Sequence, residues 1–247
     1  KPSKECKTIL YNVKRMLALI SELVDIRKQD LGLSTLNLSW TNMSQMIRQL
    51  FDDMSSWAEN KYISIAYDTE DYDVEMDADK DKIGKMILNL FSNAIKYTNE
   101  GGRIDISFKR GTQKDISPCY NTIHTEGSVS SEVPICILTV RDTGVGISSE
   151  SIHLIYERFF QVNGNSQSHL GSGIGLAIVK SVVLQHKGMI VVSSERMQGS
   201  EFIIALPIYE KYKNSQMVIE NQSLDVRSFI DEQYNEFEPI ENIDENT

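Results

Sequence analysis

Residues whose side chains could hold a metal ion and a phosphate recur between positions 89 and 98. Asn89, Asn93 and Lys96 fall within a sector of about 60° on a helical projection, away from an apolar stripe. An Asn side chain offers a neutral carbonyl oxygen, which suits a largely hydrated Mg²⁺, and Lys96 offers a point charge for phosphate. A helix with an ordinary solvated polar face is the simpler alternative.

A second candidate is the segment 142–147, Asp-Thr-Gly-Val-Gly-Ile, which follows a predicted strand. The ionised Asp142 only accepts hydrogen bonds, so it could bind the exocyclic amine of adenine and reject the carbonyl of guanine. Gly144 and Gly146, which precede Ile147, permit close approach of the backbone to a flat base. Alone, this pattern also fits any turn that ends a strand.

A third candidate is a glycine-rich loop that opens a predicted helix. The loop contains Gly171, Gly173 and Gly175 and ends at Leu176, just before the predicted helix. Free N–H groups at the start of the helix would therefore face an anion such as phosphate. The spacing fits neither a Walker A motif nor a dinucleotide fingerprint. The preceding segment, 161–170, is rich in Asn, Ser and Gly and has the composition of a movable lid.

The elements that would position these residues are helices and strands without regular βαβ alternation. We expect helices at 43–60, 79–98, from about 149, and 177–186, and strands at 62–67, 103–110, 133–141, 189–194 and 201–206. This order favours an α+β two-layer sandwich, a mixed sheet with helices on one face. The polar segment 111–132 is predicted to be a mobile insertion.

Composition excludes several classes of protein. The net charge is −10, of which −7 lies in residues 209–247, so a nucleic-acid-binding surface is not expected. No apolar run of 18 residues and no signal-peptide pattern occurs, so no membrane contact is expected. Cys6, Cys119 and Cys136 are too few and too irregularly spaced for a disulfide framework or a zinc site, which favours the cytoplasm.

Together, four segments resemble a known family. In order and approximate spacing, 89–98, 142–147, 157–160 and 171–176 resemble the N, G1, F and G2 boxes of histidine kinase catalytic domains. Gly199 and Ser200 look like the final box of that family. The resemblance covers about residues 40–208 and implies a Bergerat ATP-binding fold.

The resemblance also implies roles for single residues. Mg²⁺ would bind Asn93 with help from Asn89, the adenine of ATP would bind Asp142, and Lys96 and Tyr97 would line the nucleotide. The remaining nucleotide contacts implied are Gly144, Gly146, Ile147, Gly171, Gly173, Gly175, Leu176 and Ser200, with Phe159 and Phe160 anchoring the lid.

The same resemblance implies a reaction. Gyrase-type and chaperone relatives typically carry Glu in place of Asn89, and an amide cannot act as a general base, so Asn89 argues against hydrolysis. A neutral histidine needs little base assistance and is the natural phosphoryl acceptor. The alternatives are an ATP-hydrolysing conformational switch of the same fold and a non-catalytic nucleotide-binding module.

Three domains are predicted. The long helix 5–31, within residues 1–38, resembles the second helix of a dimerisation and phosphoacceptor bundle, although it could pack on its own domain instead. Residues 39–208 form the catalytic domain. Residues 209–247 are an acidic tail, which in hybrid kinases would lead to a receiver domain, or a disordered linker.

The partners expected follow from this division. None of the four histidines lies in the sequence setting that the family uses for its acceptor, so the acceptor helix is expected outside this chain. The resemblance further implies a homodimer in the full-length protein, a response-regulator receiver domain as partner, and a cytoplasmic domain of a membrane-linked sensor.

Overall fold

The computed structural model describes six single residues near the N-terminus and three longer stretches, 34–69, 73–161 and 172–209; the six are Val13, Met16, Leu17, Ile20, Val24 and Arg27. The chain divides into two compact units. The first is Lys1–Gly32 with Asp225–Thr247, and the second is Leu33–Leu224. The lid segment 162–170, Gly171 and the tail 210–247 lie outside the described residues.

In the first unit, the six described residues are all helical, and five of them carry exposed apolar side chains. Val13, Leu17, Ile20 and Val24 follow steps of three and four residues, so they lie along one side of a helix. The predicted helical periodicity is confirmed for these residues. Among the described residues, no helix is long and apolar enough to cross a membrane.

The second unit contains eight strands and three α-helices in its described part. The strands are β1 Ser39–Asn42, β2 Ser64–Thr69, β3 Glu75–Ala78, β4 Arg103–Gly111, β5 Thr122–Gly127, β6 Ile135–Asp142, β7 Met189–Glu195 and β8 Gly199–Pro207, and the helices are α1 Met43–Asn60, α2 Lys80–Tyr97 and α3 Gly175–Gln185. A 3₁₀ turn spans Gln113–Asp115. Both long helices begin at a side-chain cap, since Asn42 accepts from Gln45 N at 2.8 Å and Asp79 from Lys82 N at 3.1 Å.

Six strands form one mixed sheet in the order β2-β4-β6-β8-β7-β5. Strands β2 and β4 are parallel, and every other neighbouring pair is antiparallel. Strands β1 and β3 form a separate antiparallel pair. The α+β fold with a mixed sheet is therefore confirmed. Helix α2 is the centre of the helical layer because it packs against both α1 and α3.

The segment predicted to be a mobile insertion is part of the sheet, so that prediction was wrong. Strand β5 lies in this segment and pairs with β7 along its whole length. Ile116 and Val129, also in the segment, pack on an apolar cluster that includes Ile137, Val191 and Ile203. No member of this cluster comes from a helix, so the insertion covers a face of the sheet that the helices leave open.

The predicted helix from about residue 149 is also wrong. Residues 149–156 form successive turns, in which Leu154 N donates to Ser151 O and Glu157 N to Leu154 O. Each of these bonds spans three residues, as in a 3₁₀ turn, and the segment is too short and irregular to form a stable helix.

Candidate functional site

Lys61 holds the end of helix α2 that carries the candidate residues. Its Nζ donates to the carbonyl oxygens of Ile95 (2.8 Å), Lys96 (3.0 Å) and Thr98 (2.9 Å). Carbonyl groups at a helix C-terminus have no partner within the helix, and a cation there also interacts well with the helix dipole. Burial lowers the pKa of Lys61. Sequence reasoning missed this residue because it lies 34 to 37 positions before its partners.

The polar face of α2 is turned towards the glycine-rich loop. Asn89 Nδ2 donates to Lys85 O at 2.8 Å, which fixes the orientation of the amide. A Cβ on Gly175 would lie only 2.4 Å from Asn89 Oδ1, so the first residue of α3 approaches this oxygen as only glycine can. Two of the three candidate segments therefore meet here.

The other polar residues of α2 differ in burial. Lys96 is buried, and its Nζ lies 4.8 Å from the centroid of the half-buried Tyr97 ring. Asn93 is half-buried and makes no side-chain hydrogen bond to any residue that the structure describes. Asn89 is buried because α3 packs beside it. The helical projection places Asn89 away from the apolar stripe, yet its side chain is buried.

Asp142 is buried at the last position of β6, and the loop after it contacts α2. Its Oδ1 accepts from Gly144 N at 2.8 Å. A Cβ on Gly144 would lie 2.2 Å from Tyr97 O, and Val145 N donates to that same oxygen at 3.2 Å. The absence of a side chain at Gly144 therefore lets the Asp142 loop pack on the end of α2.

The environment of Asp142 disfavours the ionised form of its carboxyl group. Burial raises its pKa to about 6, although hydrogen bonds from the N–H groups of Gly144 and Ser200 act in the opposite direction. Such a shift is typical of a group retained for a purpose other than stability. Asp142 could accept a hydrogen bond from a ligand, and its carboxyl group is half deprotonated at about pH 6.

The rest of this loop is supported by the ends of β7 and β8. Ile147 N donates to Ser194 Oγ at 2.8 Å, and Ser194 Oγ lies 3.0 Å from Ser200 Oγ. Gly146 has φ +66° and lies against Glu195 O, where a Cβ would stand only 2.1 Å away. Ile147 is half-buried, and Ser200 is buried and pairs with Asp142 across β6 and β8.

The two ends of the predicted lid are joined by the backbone. Phe159 N donates to Gly173 O at 2.9 Å, and Gly173, at φ +70°, would place a Cβ 2.8 Å from Phe159 Cα. Phe159 itself has φ +62° and an exposed ring, an unusual conformation for a bulky residue. Phe160 and Leu176 are half-buried. The structure thus brings the glycine-rich loop against Asn89 and Phe159, and the Asp142 loop against Tyr97.

Comparisons with known proteins identify the family. Residues 78–210 match the family described as histidine kinase-, DNA gyrase B-, and HSP90-like ATPase. The chain belongs to this family. Its ATP-binding domain thus includes α2, the Asp142 loop and the glycine-rich loop, and the predicted Bergerat-type fold is confirmed.

The relatives of this chain include several histidine kinases. The chain is 30% identical, over 83% of its length, to hybrid signal transduction histidine kinase D of Dictyostelium discoideum. It superposes with TM-score 0.62 and 24% identity, over 84% of its length, on full-length ShkA solved in complex with AMPPNP. It superposes with TM-score 0.56 and 21% identity, over 85%, on histidine kinase ThkA in complex with the response regulator TrrA. The chain spans 12%, 40% and 53% of these three proteins.

Proposed function

We propose that this chain is the catalytic part of a sensor histidine kinase, which transfers the γ-phosphoryl group of ATP to a histidine on another segment. The observation that carries the proposal is the approach of Gly175 to Asn89. It directs the N-terminus of α3 towards the polar face of α2, where an amide stands in place of a general base. Such a site can position phosphates but cannot itself deprotonate water.

The nucleotide would lie between α2, the Asp142 loop and the glycine-rich loop. Asp142 accepts a hydrogen bond from the adenine amine, with Gly144, Gly146 and Ile147 beneath the base. Gly171, Gly173, Gly175 and Leu176 offer main-chain N–H groups to the phosphates, and Ser200 supports Asp142 from β8. Phe159 and Phe160 anchor the lid, and Lys96 and Tyr97 line the side of the site.

The amide oxygens of α2 fit Mg²⁺. Asn93 is half-buried and has no described hydrogen-bond partner, and the orientation of Asn89 leaves its oxygen turned outward from its own helix. Neutral oxygens at two positions one turn apart suit a metal that keeps most of its waters and binds phosphate. When bound, Mg²⁺ would neutralise charge on the phosphates. Asn93 would hold it, and Asn89 would position its water.

The acceptor histidine is proposed to lie outside this chain. His186 is buried and uses both ring nitrogens, since Nδ1 donates to Val182 O at 2.8 Å and Nε2 accepts from Asp79 N at 3.1 Å. His124 and His153 contact each other through Nδ1 at 3.0 Å. None of these three histidines lies in the sequence setting that the family uses for its acceptor.

The proposal extends to the organisation of the full-length protein. Residues 1–38 would belong to a dimerisation bundle, 39–208 to the catalytic domain, and 209–247 to a tail leading towards a receiver domain. The exposed apolar side chains of Val13, Met16, Leu17, Ile20 and Val24 support a bundle that joins two copies. A response regulator is the proposed partner, by likeness to ThkA with TrrA. We place the domain in the cytoplasm, in a membrane-linked sensor.

The test is incubation with γ-labelled ATP and Mg²⁺, with and without a fragment that carries the acceptor helix. We expect nucleotide binding by the chain alone, little phosphate release, and acid-labile label on the fragment only. Transfer in trans should be slow because the effective concentration of a linked acceptor is lost. Steady phosphate release without any acceptor would favour the ATP-hydrolysing switch, and absent nucleotide affinity would favour a non-catalytic module.

A further inference from the structure

Two imidazole rings meet edge to face at residues that do not belong to the proposed nucleotide site. His124 lies on β5, in the segment that covers the sheet, and His153 lies in the turns before Phe159. Their Nδ1 atoms are 3.0 Å apart, and the rings are nearly perpendicular at 87°. His153 is exposed, so solvent reaches the pair directly.

A carboxylate determines which nitrogen of the His124 ring carries the proton. Glu126 Oε1 lies 3.2 Å from His124 Nε2 and 2.8 Å from Lys180 Nζ. An ionised carboxylate only accepts hydrogen bonds, so in neutral His124 the proton stays on Nε2. The lone pair of Nδ1 then points to His153. This carboxylate–histidine arrangement is the one that orients metal-ligating imidazoles in many proteins, and Lys180 holds Glu126 in its position.

We propose that His124 Nδ1 and His153 Nδ1 form a site for a divalent transition-metal cation between β5 and the turns that lead to Phe159. The described residues contain no group of three or more His, Cys, Asp or Glu side chains able to hold a metal, so water completes the coordination. His153 gives up its Nδ1 proton and carries one on Nε2, towards solvent. Mg²⁺, which prefers oxygen ligands, does not compete for two imidazoles.

The separation of the two nitrogens indicates which metals fit. With metal–nitrogen bonds of 2.0 to 2.1 Å, the 3.0 Å between the two Nδ1 atoms subtends an angle of about 94° at the metal. Neighbouring ligands in the tetragonal geometry of Cu²⁺ or Ni²⁺ make an angle close to this value. Ni²⁺ is therefore a suitable probe.

Binding would strengthen a link that now rests on weaker contacts. Without metal, the two segments are joined here by one neutral Nδ1–H···Nδ1 hydrogen bond. Tyr156 lies beside the pair, with its ring 5.8 Å from that of His124, and its buried hydroxyl has no hydrogen-bond partner among the described residues. A cation coordinated by both rings would fix the turns that end at Phe159.

The experiment is calorimetric titration of the full chain with NiCl₂ in the absence of nucleotide. Cys6→Ser and Cys119→Ser are introduced first, so that neither of these thiols binds the metal. We expect one Ni²⁺ per chain, with affinity reduced at least tenfold by His153→Asn. Glu126→Gln should weaken binding by about 10- to 100-fold, the usual effect of losing a group that orients a ligand. The matched control is His169→Asn, which should bind as the parent does.

Hydrogen exchange gives a second readout, independent of affinity. Ni²⁺ should slow exchange of amides in β5 and in residues 149–158, and His153→Asn should abolish that protection while keeping the exchange pattern of the metal-free parent. Because His153 is exposed, this variant should fold normally. Equal Ni²⁺ affinity of the parent and His153→Asn, or protection confined to other segments, would overturn the proposal and leave the pair as a hydrogen bond only.

Discussion

Replacing Asp142 by Asn should make the protein more stable and less able to bind ATP. Asp142 is buried, and burial raises its pKa from an ordinary 3.8 to about 6. The folded state therefore binds this proton more tightly than the unfolded chain does. Stability from the protonated carboxyl is fully present below pH 3.8 and is lost as the pH rises through about 6.

The size of the effect follows from the pKa shift. From 3.8 to about 6 is a difference of 2.2, which corresponds to about 3 kcal/mol of unfolding free energy at neutral pH. An amide has a single acceptor oxygen, so loss of one hydrogen bond from Gly144 or Ser200 offsets about 1 kcal/mol of this gain. We therefore expect Asp142→Asn to be more stable than the parent by about 1–2 kcal/mol at pH 7.

The assay is urea unfolding of both proteins between pH 4 and pH 7. The difference in unfolding free energy between variant and parent should grow by about 2.4 kcal/mol across this range, because the amide of the variant does not titrate and all other groups are shared. Nucleotide titration should show the opposite effect. Loss of a charged hydrogen bond costs about 1.5–3 kcal/mol, or roughly 10- to 150-fold in ATP affinity.

Two results would refute the reasoning about Asp142. If the stability difference is independent of pH, the carboxyl group is not shifted by burial as described. If the variant binds ATP as tightly as the parent at pH 7.5, Asp142 does not contact the base. In the parent, ATP affinity should also fall below pH 6, and the variant should lack this fall.

Three further predictions concern other parts of the site. Asn93→Ala should reduce the effect of Mg²⁺ on ATP affinity by about tenfold or more, in titrations with and without the metal, and an unchanged Mg²⁺ dependence would contradict the assignment. Gly175→Ala should displace the Asn89 side chain and weaken ATP binding by about tenfold, with no additional loss in an Asn89→Ala background, as a double-mutant cycle of binding affinities would show. Burial lowers the pKa of His186, so the unfolded chain takes up this proton first and stability should be lost as the pH falls below 6.5. His186→Gln should reduce that loss in urea unfolding at pH 7 and pH 5, and an equal loss in both proteins would exclude His186 as its source.

The sequence predicted best those elements whose signals are local. Helix α1 spans 43–60 as expected, and α2 matches 79–98 once Asp79 and Thr98 are recognised as its caps. Both helices have long apolar stripes and clear start and stop signals, and these signals depend only on residues within one or two turns. The order of the glycine motifs also needed no tertiary information.

The features that the sequence did not predict all depend on contacts between residues far apart in the chain. Strand β5 contains a single large apolar residue, Ile123, and is stabilised by β7, about 65 residues away, with Ile116 and Val129 covering the sheet beside it. Strands β1 and β3 are only four residues each and form mainly because they pair with each other. The burial of Asn89 likewise depends on α3, which a projection of α2 alone does not include.

The parallel pairing of β2 with β4 sets a constraint on the order of folding. Parallel strands cannot be joined by a tight turn, and here the connection contains β3 and the whole of α2. The edge of the sheet therefore closes only after the chain has passed through α2, and forming that helix early shortens the loop to be closed. Substitutions that weaken α2 should thus slow the folding of this domain as well as its chemistry, so the residues proposed to bind Mg²⁺ and phosphate lie on an element that also governs how fast the sheet assembles.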